Sequence, residues 1–133
     1  MYEKPLPSID ADSAPFWRAA REERLALPYC GDCGQAHFPP RALCPHCHGG
    51  TIEWRDASGE GVVYTYTIAR RGAGAAFKDD APYVIALIDL AEGPRMMSNI
   101  VTDDVETVTI GAAVRVVFDA VTEDVTLPKF ELV

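Results

Sequence analysis

The sequence lacks any run of about 20 apolar residues, which is the length that a membrane-spanning helix requires. Its first ten residues also lack the apolar segment of a signal peptide, since they contain two prolines together with Glu3 and Asp10. We therefore expect a cytoplasmic protein with no membrane contact. Internal repeats and low-complexity tracts are absent as well, and 48% of the residues are hydrophobic, so the composition favours a globular fold.

Positive charge is scarce. Twelve Lys and Arg oppose twenty Asp and Glu, which gives a net charge of −8, and residues 57–133 contain only six basic side chains against twelve acidic ones. Proteins that bind single-stranded nucleic acid follow the phosphate backbone with a positive groove. A nucleic-acid-binding role remains the alternative from a different functional class, but this charge balance argues against it.

The chain has only four cysteines, and they form two Cys-x-x-Cys pairs: Cys30 with Cys33, and Cys44 with Cys47. Thiols stay reduced in the cytoplasm, and Zn²⁺ accepts four thiolates in a tetrahedron. A glycine follows each pair, Gly34 directly and Gly49 one residue later, and can supply the positive φ of a tight turn. The pattern therefore predicts one structural zinc ion held by the four cysteines.

Other uses of these cysteines fit the pattern less well. Two disulfides are disfavoured in the cytoplasm, and a redox-active Cys-x-x-Cys pair would be expected alone, at the start of a helix that follows a strand. Because four thiolates complete the coordination shell, we expect His37, His46 and His48 to be solvent-facing residues of the ribbon. A closed shell also leaves no position for catalysis at the metal.

The N-terminal part predicts one short helix followed by a segment without a core of its own. Ser13 can cap a helix that continues to about Glu22, with Pro15 in the first turn, where a missing N–H costs nothing. Residues 24–54 are rich in Cys, Gly, Pro and His but have few large apolar side chains. We expect the metal to stabilise this segment.

The C-terminal part predicts five short strands separated by turn signals, at residues 61–71, 83–90, 96–101, 113–121 and 127–132. Alternation in the first strand would put Val62, Tyr64, Tyr66 and Ile68 on one face. Five strands with one helical insert near residues 103–107 fit a small closed barrel of the OB type, and a sandwich is the alternative. The predicted fold is mainly β, with segments at 1–27 (helical), 28–56 (zinc ribbon) and 57–133 (barrel).

Nearly the whole chain resembles a known family: the zinc-ribbon and OB-fold proteins that accompany thiolases and thiolase-like enzymes acting on acyl-CoA. The residues that carry this resemblance are Phe16 and Trp17, residues 30–34, 38–41 and 44–47, Trp54, and residues 58–61, 64–67, 82–83 and 127–130. The resemblance implies an N-terminal helical segment, a rubredoxin-like ribbon and a barrel. It also implies a non-catalytic subunit of a hetero-oligomer, whose partner is a thiolase-fold enzyme or a hydratase and whose ligand is a coenzyme A thioester.

The residues themselves agree with a non-catalytic role. All four cysteines are used as ligands, and no Ser-His-Asp or Cys-His arrangement is visible, although such groups need not be adjacent in sequence. A stand-alone enzyme is therefore the weakest interpretation.

Two further sites follow from residue type. Arg70, Arg71 and Lys78 bracket Phe77 in a segment without clear secondary structure, and coenzyme A offers phosphates for basic side chains and an adenine for an aromatic ring. This predicts acyl-CoA contact there, with a flexible solvated loop as the equal alternative. We also expect Phe16 and Trp17 to be anchors for the partner enzyme, because large aromatic residues are common at interfaces.

Overall fold

A computed structural model describes residues 2–133, so the predicted N-terminal segment is seen from residue 2 onward, and Met1 lies outside the described residues. The first element is helix α1, Ala14–Arg21. Ser13 occupies the predicted N-cap position, but its side chain makes no capping hydrogen bond to α1, contrary to the prediction. Its hydroxyl instead accepts a hydrogen bond from the Asp10 N–H, and the Asp10 carboxylate accepts one from the Ser13 N–H. This reciprocal pair fixes the turn that leads into α1.

Two short antiparallel strands form the ribbon. Strand β1, Ala26–Cys30, pairs with β2, Ile52–Asp56, so that Cys30 lies opposite Ile52. The chain between them returns along the other edge of β1, where Tyr29 bridges to Ala36. Because Cys30 at the end of β1 lies opposite Ile52 at the start of β2, the segment between them begins and ends at the same end of the ribbon.

Five strands follow, and each lies within two residues of its predicted bounds: β3 Glu60–Ala69, β4 Tyr83–Leu90, β5 Arg95–Val101, β6 Ala113–Ala120 and β7 Thr126–Leu132. The predicted helical insert is a short 3₁₀ helix, Val105–Thr107, and a second 3₁₀ helix, Ala75–Asp80, interrupts the loop after β3.

The strands close into a barrel in the order β3-β4-β5-β7-β6, and β6 returns to pair with β3. Neighbouring strands are antiparallel except for β5 and β7, which pair in parallel at Ile100 and Val101. This closure confirms the predicted barrel and excludes the sandwich.

A β-bulge in β3 makes the predicted face assignment wrong. The pairing with β4 skips from Val63 to Thr65, which leaves Tyr64 as the extra residue. Because the bulge reverses the alternation, Val63 is buried before it, whereas Tyr66 and Ile68 pack against the core after it. Val62 and Tyr64 are exposed on the outer surface.

The barrel and the N-terminal part share one hydrophobic core. Phe16 of α1 and Leu25 and Leu27 at the start of the ribbon belong to the same buried cluster as Ile88 and Phe130 of the barrel. Helix α1 packs against both β1 and β7. The ribbon is therefore anchored on the barrel by its own first strand.

Candidate functional site

The four cysteines meet at one point. Their sulfur atoms all lie within 4.8 Å of one another, with 3.5 Å between Cys30 and Cys47 and 3.6 Å between Cys33 and Cys44. A tetrahedron with zinc–sulfur bonds of about 2.3 Å has sulfur–sulfur edges of about 3.8 Å. The residues present therefore fit one four-coordinate zinc ion, which confirms the predicted metal centre.

Two similar turns position the thiols. In the first, the Gly34 N–H donates to the Cys30 carbonyl at 2.8 Å, and Gly34 has a φ of 76°. In the second, the His48 N–H donates to the Cys44 carbonyl at 2.8 Å. The predicted role of Gly49 is wrong here, because the residue with positive φ is His48, at 65°.

Gly49 instead lies where the two turns approach each other. A Cβ at this position would collide with the Asp32 carboxylate of the first turn. The two turns thus approach each other closely here, and a side chain at position 49 would have to displace the Asp32 carboxylate.

Backbone N–H groups and neighbouring thiols shift the pKa values of Cys44 and Cys47 in opposite directions. Burial raises the pKa of Cys44, but hydrogen bonds from the Cys47 and His46 N–H groups outweigh it and lower that pKa to about 7. The Gly49 N–H lowers the pKa of Cys47, but hydrogen bonding with the Cys30 sulfur, burial and the other two thiols together outweigh it and raise that pKa to about 12. A bound Zn²⁺ would stabilise all four thiolates and remove this competition for protons.

The three histidines do not behave alike. His46 and His48 are exposed as predicted, whereas His37 is 3% exposed, so the prediction of a solvent-facing His37 is wrong. Its backbone N–H donates to the Pro28 carbonyl, which holds the residue against β1. Neither ring nitrogen has a hydrogen-bond partner. Burial lowers the pKa of His37, so the ring is neutral at pH 7.

Three of the four residues predicted to contact acyl-CoA surround one hollow. Arg70, Arg71 and Lys78 line an open hollow of about 420 Å³ beside the 3₁₀ helix Ala75–Asp80. The loop can fold this way because Gly72 lies against the Phe77 and Lys78 backbone, where a Cβ would not fit. The Arg70 guanidinium pairs with Glu106 at 2.6 Å.

Phe77 lies on the other side of the same 3₁₀ helix. It lines a separate cavity of about 440 Å³, and its ring packs against Tyr83 at 6.1 Å between centroids. The structure therefore separates Phe77 from the three basic side chains with which it was grouped.

The second cavity is a feature that the sequence analysis missed. Its floor is formed by β5 and β7, and Tyr2 and Lys4 of the N-terminal segment lie at its rim. Two lysines line it, but each pairs with a carboxylate: Lys4 with Asp80 at 2.9 Å and Lys129 at 2.7 Å with Asp119. No pattern in the first five residues signals this position, because the distance along the chain to β5 and β7 is long.

The two aromatic residues of α1 have different surroundings. Phe16 is 4% exposed, and its ring packs on Phe38 and edge-on against Trp17. The prediction of Phe16 as a partner anchor is therefore corrected, because the chain's own core already covers its side chain. Trp17 is half-buried and stays a predicted interface residue. Within residues 2–133, no helix has the length and apolar character to cross a membrane.

The fold and the metal centre define a class: a four-cysteine zinc ribbon joined to a closed OB-type barrel. Family models agree with this over most of the chain. Residues 17–53 match the rubredoxin-like zinc ribbon domain of ChsH2, and residues 54–119 match its C-terminal OB-fold domain. A DUF35 domain-containing scaffold protein of Methanocaldococcus jannaschii is 41% identical over 110 residues, which cover 81% of this chain and 77% of that protein. The chain belongs to the DUF35 family.

Two further comparisons connect this chain to larger systems. A probable enoyl-CoA hydratase alpha subunit of Thermomonospora curvata is 36% identical over 129 residues, which cover 96% of this chain but only 39% of that protein. The chain thus spans about two fifths of the length of that relative. A chain in the solved structure of an Ltp2-ChsH2(DUF35) aldolase superposes with a TM-score of 0.85 at 34% identity, covering 96% of this chain and 98% of the other.

Proposed function

We propose that this protein is a non-catalytic, zinc-containing subunit that pairs with a thiolase-fold enzyme and helps to bind its acyl-CoA substrate. The observation that carries the proposal is the similarity over nearly the full length of both chains to the DUF35 chain of an aldolase. The hydratase relative supports the acyl-CoA part, because its name places a chain of this type in an enzyme that acts on a coenzyme A thioester.

The metal centre supports the non-catalytic part. All four cysteines converge on one site and would complete the coordination shell of zinc, which leaves no open position for a substrate. The relatives from archaea are named scaffold proteins, in agreement with this assignment. The chemistry would then belong to the partner subunit, and this chain would contribute binding surface.

The basic hollow of Arg70, Arg71 and Lys78 is the surface that we assign to coenzyme A. Three cations around one open hollow match the phosphates of the coenzyme, in a part of the chain where acidic side chains are twice as numerous as basic ones. Glu106 already neutralises Arg70, so Arg71 and Lys78 are the stronger candidates for phosphate contact. Phe77 stays a predicted contact only if the ligand also reaches the second cavity.

The partner is tested first. The tagged full-length chain is expressed together with the thiolase-fold or hydratase proteins encoded beside it, and the purified complex is weighed by light scattering. A stoichiometric complex with acyl-CoA-dependent activity, which neither subunit has alone, supports the proposal. A chain that stays free of every such enzyme, or that binds single-stranded oligonucleotide in preference to acyl-CoA, contradicts it.

The ligand site is tested in that complex. Replacing Arg70, Arg71 and Lys78 with alanine should raise KM for the thioester about tenfold. Little change in kcat is expected, because these contacts would bind substrate and transition state alike. Arg115→Ala, which removes an exposed arginine from β6, is the matched control. An unchanged KM would leave the loop as solvated surface, and loss of assembly would make it part of the interface.

A further inference from the structure

Strand β2 is an edge strand of the ribbon. It pairs with β1 on one side only, and the other side of β1 is taken by the bridge to Ala36. Helix α1 packs on β1, and the strands of the barrel pair with one another. Among residues 2–133, no further strand pairs with β2, so one side of this strand is left open.

The hydrogen bonds of β1 show which of its residues face β2. The Cys30 N–H donates to the Gln35 carbonyl at 3.0 Å. The Pro28 carbonyl accepts a hydrogen bond from the His37 N–H, also at 3.0 Å. Successive residues of a strand point their backbone groups to opposite sides of the strand. Since Pro28 and Cys30 use theirs on the side away from β2, the residues that alternate with them face β2.

The register of the ribbon then divides the residues of β2 into two sets. Tyr29 lies opposite Glu53, and Leu27 lies opposite Arg55, so Glu53 and Arg55 point their backbone groups toward β1. The other three residues of the strand point theirs outward, and within the part of the chain that the structure describes no group bonds to these N–H and C=O groups. This free edge consists of Ile52, Trp54 and Asp56.

The free edge is complementary to a copy of itself. A two-fold axis through Trp54 would place two β2 strands side by side and antiparallel, with Trp54 opposite its own copy and Ile52 opposite Asp56. All three residues would then exchange both backbone hydrogen bonds with the second chain. Glu53 of each chain would lie opposite Arg55 of the other, at the non-hydrogen-bonded positions where opposing side chains approach most closely.

The side chains of β2 suit this register. Glu53 and Arg55 are half-exposed, and within one chain they pair only with each other, at 2.8 Å between Oε2 and a guanidinium nitrogen. Opposite charges across a strand pair stabilise it, whereas like charges destabilise it. Trp54 is half-buried, and its copy across the axis would cover more of the ring as a cross-strand aromatic pair.

We propose that the free edge of β2 joins two copies of this chain into a symmetric dimer, in which the two ribbons form one continuous sheet. An unpaired strand edge is a template for pairing with another strand, and the order of charges along β2 favours its own copy as that strand. A single pair of short strands is a small interface, so we expect a weak dimer that depends on protein concentration. The proposal does not depend on the partner enzyme.

The dimer is tested on the zinc-loaded, full-length chain without any partner. Sedimentation is measured from micromolar to millimolar concentration, and amide hydrogen exchange is followed by NMR over the same range. We expect a reversible monomer–dimer equilibrium, with protection of the Ile52, Trp54 and Asp56 amides that increases with concentration. The Glu53 and Arg55 amides already bond to β1 and should not change. A chain that stays monomeric over the whole range overturns the proposal.

Charge variants test the register. Glu53→Arg and Arg55→Glu each place like charges opposite each other in the dimer, and each should weaken it at least about tenfold. Mixing the two variants should restore association, because every arginine of one chain then faces a glutamate of the other. Glu123→Arg, the same charge change at an exposed position between β6 and β7, is the matched control and should dimerise normally.

Two further results would overturn the proposal. A dimer that is unchanged in both single variants forms through another surface. Protection of the free edge that appears only when the partner enzyme is added, and never in the concentrated free chain, assigns the edge to a strand of that enzyme. Because the titration and the mixing experiment use this chain alone, they decide the question even if the proposed function fails.

Discussion

The last residue of each zinc-binding turn determines how much backbone strain that turn contains. The first turn ends in Gly34 and the second in His48, and both residues have left-handed backbone conformations. Glycine adopts this conformation without steric cost, whereas a residue with a Cβ is strained there. The second turn therefore carries a strain that the first does not.

Replacing His48 with glycine should stabilise the zinc-loaded protein. The change removes the Cβ strain, and the gain should exceed the entropic cost of glycine in the unfolded chain by about 1 kcal/mol. The measurement is the free energy of unfolding from urea titration, with excess zinc present.

His46→Gly is the matched control, because His46 is an exposed histidine of the same turn without a positive φ. There glycine adds unfolded-state entropy and removes the imidazole that hydrogen-bonds with the Ala36 carbonyl at 3.4 Å, so the protein should lose about 1 kcal/mol. If His48→Gly is destabilising by a similar amount, the left-handed conformation costs nothing in this turn.

At the scale of elements, α1 belongs to the core of this chain. Its Phe16 ring lies between Trp17 and Phe38 and joins the cluster that fills the barrel. The helix has an apolar stripe, and the stripe predicts that one face is covered, but it does not say by what. The covering surface is the chain's own β1 and β7.

Phe16→Ala should therefore destabilise the isolated protein by about 3–5 kcal/mol, the range for truncating a buried phenylalanine. Trp17→Ala, the neighbouring change at a half-buried ring, should cost less and should weaken the complex with the partner more. Thermal and urea unfolding of the free chain and titration of the complex separate the two effects. Equal stability losses for both variants would assign Trp17 to the core as well.

At the scale of the whole molecule, metal and barrel stability are coupled. Leu25 and Leu27 precede the first zinc turn and are buried in the same cluster as Val63 and Phe130 of the barrel. The ribbon beyond them contributes little apolar surface, so its stability depends on the metal. Because its first strand is part of the barrel's core, the metal also stabilises the barrel.

Removing zinc should consequently lower the stability of the whole chain. Tryptophan fluorescence reports on α1 and the ribbon through Trp17 and Trp54, and far-UV circular dichroism reports mainly on the barrel. Both probes should report the same unfolding transition. A chelator or Cys44→Ser should lower the free energy of unfolding by several kcal/mol, by the same amount for both probes. Since protons compete with zinc for the thiolates, the stabilisation by metal should be lost as the pH falls.

Two separate transitions, with the barrel transition unaffected by chelation, would contradict this coupling. Elemental analysis with well under one zinc per chain in protein whose ribbon is ordered would contradict the metal centre itself.

Local patterns were sufficient for the features that depend on neighbours in sequence. Two Cys-x-x-Cys pairs determine a tetrahedral thiolate site, because each pair brings two sulfurs to one side of an ion. Alternating apolar residues and turn signals determined five strands to within two residues, and β4, Tyr83–Leu90, was predicted with both ends correct. The resemblance of the chain added the expectation of an enzyme partner and of a coenzyme A thioester as ligand.

Contacts between distant segments decided the rest. Whether His37 is exposed depends on how its segment folds back on β1, where its N–H donates to the Pro28 carbonyl, and whether Phe16 is free depends on β1 and β7. The bulge at Tyr64 follows from the register with β4, which a period of two within β3 cannot reveal. These features depend on packing between residues far apart in the chain, where the hydrophobic pattern of a single segment holds no information about its neighbour.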